Sequence, residues 1–240
     1  MAGHSKWSKI KRGKGIQDAK KALTFTKFTK EIMHVTQQWG SDLKANYRLR
    51  LAMQNAKAAG MPKENIMRAI KKGGGALSKA AYIRKRYEGY GPYGIAIFVD
   101  AMTDNIKRTV AHVRACLHKY GGNLDKKGAI QHLFKQEGIF LIRAEAGRDE
   151  DMFALQLIEE GASEIKQQGD YMYLTCEAKE FTRLQKALES ENNLPEEAYL
   201  AYVPYHRKSL GPEETARVKK LLEALAALED VQEVYHDLAC

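Results

Sequence analysis

The chain has 240 residues, with 39 Lys and Arg against 30 Asp and Glu for a net charge of +9, and 44% of its residues are hydrophobic. That length suits one to two domains, and the apolar content excludes a disordered chain. The apolar runs are short, Ile95–Val99 among them, far below the roughly 20 residues that cross a bilayer. No apolar stretch follows the charged N-terminus as a secretory signal would, and the three cysteines (Cys116, Cys176, Cys240) form neither a disulfide framework nor a zinc spacing.

The charge is divided. Residues 1–80 hold 18 basic and 4 acidic side chains, a net of +14, and residues 81–240 hold 21 and 26, a net of −5. A basic block on an acidic body points to a polyanion partner for the first third.

Residues 1–16 contain Lys6, Lys9, Lys11, Arg12 and Lys14 and no acid. They read as a mobile basic arm in which Gly13 and Gly15 break any helix. Trp7, between Lys6 and Lys9, suits stacking on an exposed base or anchoring the arm to the helical head. From Gln17 to Trp39 the pattern is helical, with Phe25, Phe28, Ile32, Val35 and Trp39 on one face. At 100° per residue Lys20, Lys27, Lys30 and His34 fall within an arc of about 80° on the other side, an expected cationic face.

A second helix spans about 46–59, with Leu49, Met53 and Ala56 inward and Arg50 and Lys57 sharing a face. Gly60 ends it, and Pro62 suits the first turn of a third helix. There Ile66 and Ile70 face inward, and Arg68, Lys71 and Lys72 enrich the last turn before Gly73-Gly74-Gly75, which reads as a domain boundary. The second and third helices fit either a plain hairpin or a helix-turn-helix, in which Lys63, Glu64 and Asn65 would open the recognition helix.

The remainder alternates strand and helix. Strands are expected at 94–100, 129–134, 139–143, 163–167, 171–176, 198–203, 205–209 and 231–235, and helices at 105–120, 150–161, 178–189 and 213–228. Thr103 or Asp104 is the expected cap of the 105–120 helix. The order from 139 to 203 is βαββαβ, a ferredoxin-like unit. The pieces on either side make a second such unit interrupted by the first. The expected fold is α+β and multi-domain: an N-terminal basic arm and helical domain at 1–80, a discontinuous α/β domain at 81–134 plus 205–240, and an inserted ferredoxin-like domain at 135–204.

Chemical motifs are sparse. Gly89 to Gly94 matches G-x-G-x-x-G in letters, but a strand follows it and Pro92 removes an N–H, so it reads as a rigid glycine turn rather than a dinucleotide loop. His112 and Cys116, four apart on one helix, lack further local ligands for a metal. Asp100 and Asp104 have the look of paired carboxylates, though cap chemistry explains Asp104 better. No Walker A, G-x-S-x-G or H-E-x-x-H sequence occurs.

Several segments together resemble the YebC/PmpR family: the opening Met1-Ala2-Gly3-His4-Ser5-Lys6-Trp7, Leu49-Arg50-Leu51-Ala52, Met61-Pro62-Lys63-Glu64-Asn65-Ile66 and Tyr87-Glu88-Gly89-Tyr90-Gly91-Pro92. Thr103-Asp104-Asn105, Gly121-Gly122-Asn123-Leu124 and Val231-Gln232-Glu233-Val234-Tyr235 extend the match end to end. The resemblance implies a helical first domain, two α/β domains and no known catalytic site. It also implies a role in gene expression, as a DNA-binding transcriptional regulator or as a ribosome-associated translation factor that eases elongation through proline-rich stretches. A mitochondrial relative activates translation of a cytochrome oxidase subunit. The sequence starts at the opening heptad with no presequence before it, which favours a cytoplasmic protein.

The expectation is a non-enzymatic regulator that binds DNA, or as a translation factor ribosomal or transfer RNA, as a monomer, without cofactor, metal, membrane or small-molecule substrate. Its nucleic-acid-binding residues would be Lys6, Trp7, Lys9, Lys11, Arg12, Lys14, Lys20, Lys27, Lys30, Arg50, Lys57, Lys63, Arg68, Lys71 and Lys72. An enzyme with a site between the two α/β domains is the reading from another class.

Overall fold

The computed structural model describes residues 14–75, 81–144, 150–191 and 193–239. It divides the chain into two compact units: Met1–Leu133 with Pro204–Cys240, and Phe134–Val203. The first unit begins with three helices, α1 (Lys14–Trp39), α2 (Tyr47–Ala58) and α3 (Lys63–Gly74), then β1 (Ile83–Tyr90), β2 (Ala96–Thr103), α4 (Ile106–Lys119) and β3 (Asn123–Leu124). The second unit follows with β4 (Phe134–Arg143), α5 (Glu150–Glu159), β5 (Ala162–Gln168), β6 (Tyr171–Glu177), α6 (Phe181–Ser190) and β7 (Glu197–Pro204). The chain then returns to the first unit as α7 (Pro212–Ala226) and β8 (Val231–His236).

The helical head closes around a core of Ile32, Met33 and Val35 from α1, Leu49, Ala52 and Ala56 from α2, and Ile66, Ala69 and Ile70 from α3. These positions recur at three- and four-residue steps, so each helix buries one stripe. Asn46 fixes the α1–α2 turn: its side chain accepts from the Leu49 N–H at 3.0 Å and donates to the Gly40 carbonyl at 2.7 Å. Two glycine expectations are corrected here. Helix α1 starts at Lys14 and takes in Gly15, a cost of about 1 kcal/mol that a helix of 26 residues absorbs. Helix α3 runs on through Gly73 and Gly74 rather than stopping before them. Gly73 is there because α1 crosses so closely: a Cβ would lie 2.8 Å from the Met33 carbonyl oxygen and 2.9 Å from Thr36 Cβ.

The first sheet has the order β3-β1-β2-β8, with every adjacent pair antiparallel. Strand β2 is buried at every position, which explains why it reads as a nearly continuous apolar run. Helices α4 and α7 supply Val113, Leu117, Val218, Leu221 and Leu225 to the core against Ile95, Ile97, Val99 and Val231. This is the ferredoxin-like strand order with one exchange. The strand between β2 and β3 is β1, which precedes β2 in the chain instead of following β3. Strand β1 escapes the sequence pattern because its first four residues, Ile83 to Arg86, are exposed and mostly cationic.

Two other strands are corrected. Residues 129–133 form a turn with a 3-10 segment at Gln131–Leu133, and the strand begins only at Phe134. The buried Glu88 carboxylate accepts from the N–H groups of Gly128 and Ile130 at 2.8 and 3.0 Å, so a side chain satisfies this backbone in place of the expected ladder. Residues 205–209 form no ladder beyond a bridge from Lys208 to Leu238.

The second unit is the expected βαββαβ unit, with sheet order β5-β6-β4-β7 and antiparallel ladders from β6 to β4 and β5. Phe140 of β4 stacks on Phe181 of α6 at 4.7 Å between ring centroids. The fold class is therefore an N-terminal helical domain followed by two ferredoxin-like α/β domains, one inserted in the other. Among the described residues no helix is long and apolar enough to cross a membrane.

Candidate nucleic-acid interface

With these boundaries the charge divides more sharply than the sequence halves suggest. Residues 134–203 hold 7 basic and 15 acidic side chains, a net of −8. The rest of the chain holds 32 and 15, a net of +17. The expected acidic body is thus the inserted domain alone. The part of the first unit after the head, residues 81–133 with 204–240, holds 14 basic and 11 acidic residues and is itself net positive.

On α3 the buried residues Ile66, Ala69, Ile70 and Gly73 occupy one arc of the helix. Arg68, Lys71 and Lys72 are all exposed and fall within about 100° on the opposite side, at 100° per residue. Glu64 shares that arc and is the acid in the first turn. Lys63, at the start of α3, and Lys57, near the end of α2, are exposed as well. Arg50 shares its face with Lys57 but is drawn back: it donates to the carbonyls of Leu43 and Lys44 at 2.8 and 3.1 Å.

The expected cationic face of α1 turns inward. Lys20 is exposed, but Lys27 donates to the Ala226 carbonyl at 2.9 Å, at the end of α7. Lys30 is buried, 4% exposed. Its ammonium lies 2.7 Å from an Asp230 carboxylate oxygen and 3.1 Å from one of Glu229. His34 Nδ1 is 2.7 Å from the Tyr82 carbonyl oxygen. Lys27, Lys30 and His34 therefore bind the head to the first α/β domain. The partners of Lys27 and Lys30 lie some 200 residues away in the chain, so no local pattern in α1 announces them.

The cluster at Asp230 is self-contained. Thr109 donates to its second oxygen at 2.8 Å and Arg108 approaches at 3.2 Å. Burial alone would raise the Asp230 carboxyl, but hydrogen bonds from Lys30 and Thr109 and the Lys30 charge hold it below its usual range. Burial likewise opposes the Lys30 charge, and the two carboxylates overcome it and raise the ammonium. The cap of α4 is Asn105, whose side chain accepts from the Arg108 N–H at 3.1 Å. Thr103 instead accepts from the Asn105 N–H at 2.8 Å, and Asp104 pairs with Arg108 at 2.7 Å. Asp100 is held by a bidentate Arg84. The two aspartates are thus each claimed by an arginine, not paired with each other.

Of the arm, Lys6, Trp7, Lys9, Lys11 and Arg12 lie outside the described residues. The described part of Lys14 is its backbone, at the start of α1. One feature of the head is not legible in the sequence pattern. The Arg48 guanidinium sits 4.2 Å above the ring of Trp39, and Trp39 is 47% exposed. The apolar spacing of α1 assigns Trp39 to the packed face. It lies at the last residue of the helix, beyond the head core. Among the described residues no group of three His, Cys, Asp or Glu side chains gathers to hold a metal ion.

Residues 5–76 match the model of the TACO1/YebC protein N-terminal domain, and residues 82–238 match that of the TACO1/YebC second and third domain. A probable transcriptional regulatory protein of Amoebophilus asiaticus is 46% identical over 241 aligned residues, covering 100% of this chain and 98% of the relative. One of Nitrosococcus oceani is 43% identical, covering 98% and 94%. The crystal structure of a conserved hypothetical protein from Aquifex aeolicus superimposes with a TM-score of 0.80 at 35% identity, covering 97% of this chain and 96% of that one. The chain belongs to the TACO1/YebC family.

Proposed function

We propose that the protein is a non-enzymatic regulator of gene expression that acts in the cytoplasm and binds nucleic acid through its helical head. The observation that carries this reading is the outward arc of α3, where Arg68, Lys71 and Lys72 are exposed opposite a buried stripe. Such cations neutralise phosphates and release the counterions condensed on them. The basic arm adds Lys6, Lys9, Lys11, Arg12 and Lys14, with Lys20, Lys57 and Lys63 on the head. The inserted domain, net −8, is repelled by the same polyanion and is left for a protein partner.

The names of the relatives, probable transcriptional regulatory proteins, support a DNA target. In that reading α2 and α3 act as a helix-turn-helix pair, and α3 lies along the groove with its cations on the backbone. A ribosome-associated role in translation is the second reading, and the exposed Arg48–Trp39 pair favours it. A guanidinium on an indole presents a flat cationic surface suited to an unstacked RNA base. Two measurements separate the readings: sedimentation with ribosomes, and footprinting on promoter DNA. Co-sedimentation without a footprint gives the translation reading, and a footprint without co-sedimentation gives the transcriptional one. If the protein does neither, and the Arg68, Lys71 and Lys72 to Gln variant behaves as wild type, the proposal falls.

A further inference from the structure

The link between β1 and β2 holds Tyr93, the non-glycine residue with a left-handed backbone among the described residues, at φ 61° and ψ 19°. A side chain with a Cβ is crowded in that region, so a tyrosine persists there only where its surroundings hold it. They do. The Gly91 N–H donates to the Ile95 carbonyl at 2.8 Å. Gly91 lies against the core so tightly that a Cβ would be 2.9 Å from Ile97 Cδ1 and 3.1 Å from Leu221 Cδ2. Lys208 donates to the Gly94 carbonyl at 2.8 Å.

The strained residue is not buried. Tyr93 is 39% exposed, and Arg217 of α7 donates to its hydroxyl at 3.3 Å. Lys208 and Arg217 are exposed, with the acidic Glu213 and Glu214 in the first turn of α7 and Asp237 close enough to feel the Lys208 charge. A fixed aromatic ring beside exposed cations has the chemistry of a stacking platform for a base, with ammonium and guanidinium groups placed for the flanking phosphates. A base inside a duplex is already stacked on its neighbours, so the fitting ligand is a single strand.

We propose that Tyr93, flanked by Lys208 and Arg217, is a second nucleic-acid contact on which an unstacked base of a single strand stacks. The inference rests on the reading of the protein as nucleic-acid-binding and adds to it a separate site and a single-stranded ligand. It is tested on the full chain with 12-nucleotide RNA and DNA strands carrying a central 2-aminopurine, whose fluorescence is quenched on stacking. Tyr93→Gly should weaken binding of the preferred strand about tenfold, from the stacking contribution of one base, and abolish the quenching. The same variant should melt a few degrees higher, because glycine accepts the left-handed conformation without crowding. That pairing of lost binding with gained stability separates a contact role from a structural one. Tyr93→Phe should keep the quenching. The idea is overturned if Tyr93→Gly binds and quenches as wild type does. It is also overturned if wild type binds duplex nucleic acid but no single strand, a result that leaves the reading of the head intact. If wild type binds no nucleic acid at all, both fall together.

Discussion

Lys30 and Asp230, 200 residues apart in the chain, face each other at 2.7 Å with both side chains at least 93% buried. The pair joins α1 to the junction of α7 and β8, so it ties the helical head to the first α/β domain. Buried ion pairs repay their desolvation only when the remaining polar groups are satisfied. Here Thr109 and Arg108 complete Asp230, and Glu229 completes Lys30. Removing one partner leaves the other buried charge with only its outer, more exposed neighbour, Arg108 for Asp230 and Glu229 for Lys30. Lys30→Met or Asp230→Asn should each cost about 2–3 kcal/mol in urea unfolding, below the about 3–5 kcal/mol of a fully unpaired buried charge. The double replacement Lys30→Met with Asp230→Leu should cost clearly less than the sum of the single changes. Simple additivity would show that the two side chains do not act as a pair.

The same pair sets a pH dependence. Asp230 is held below its usual range by Lys30 and Thr109 against the effect of burial. Its contribution is therefore complete above the unfolded value near about 4 and is lost as pH falls through the lower native value. Lys30 is raised, so its contribution is complete below about 10.4 and is lost as pH rises through the native value. Thermal melts from neutral to acid pH should show a fall in stability below about pH 4. Asp230→Asn should remove part of that fall. An identical acid profile in the variant would contradict the assignment.

Gly73 is fixed by space rather than by backbone conformation. Its Cβ position lies within 3 Å of the Met33 carbonyl and of Thr36, and a backbone oxygen cannot rotate aside. Gly73→Ala should destabilise the head by about 1–3 kcal/mol through overpacking, despite the better helix propensity of alanine. Gly74→Ala meets nothing closer than 3.6 Å and serves as the control, neutral or slightly stabilising. If the two substitutions behave alike in chemical denaturation, the close crossing of α1 and α3 is not what fixes the glycine.

The sequence made the head and the inserted domain legible because both follow local rules. The stripes of Ile32 and Val35, Leu49 and Ala56, and Ile66 and Ile70 declare their helices, and the β5–β6 hairpin turns at Gly169 with φ 61°. The features that stayed hidden depend on distant partners. Strand β1 is held by ladders to β2 and β3 and not by its own pattern, since its first half is exposed. Residues 129 and 130 have the letters of a strand, but the Glu88 carboxylate, some 40 residues earlier, holds the N–H groups of Gly128 and Ile130. The same logic governs the charged residues. Arg68, Lys71 and Lys72 stay on the surface, as the periodicity of α3 indicates. Lys30 looks the same by periodicity and is buried, because only the tertiary fold brings Asp230 to it.

The central claim is that exposed cations of the head neutralise phosphates, and affinity against salt concentration tests it most directly. Binding of the full chain to a duplex of about 20 base pairs, measured between about 50 and 300 mM salt, should weaken steeply on a log–log plot. Replacing Arg68, Lys71 and Lys72 with Gln should make the slope shallower by about 0.9 for each phosphate no longer neutralised, with the fold unchanged by circular dichroism. Affinity that is flat in salt, or a slope that the three replacements leave unchanged, would contradict the account.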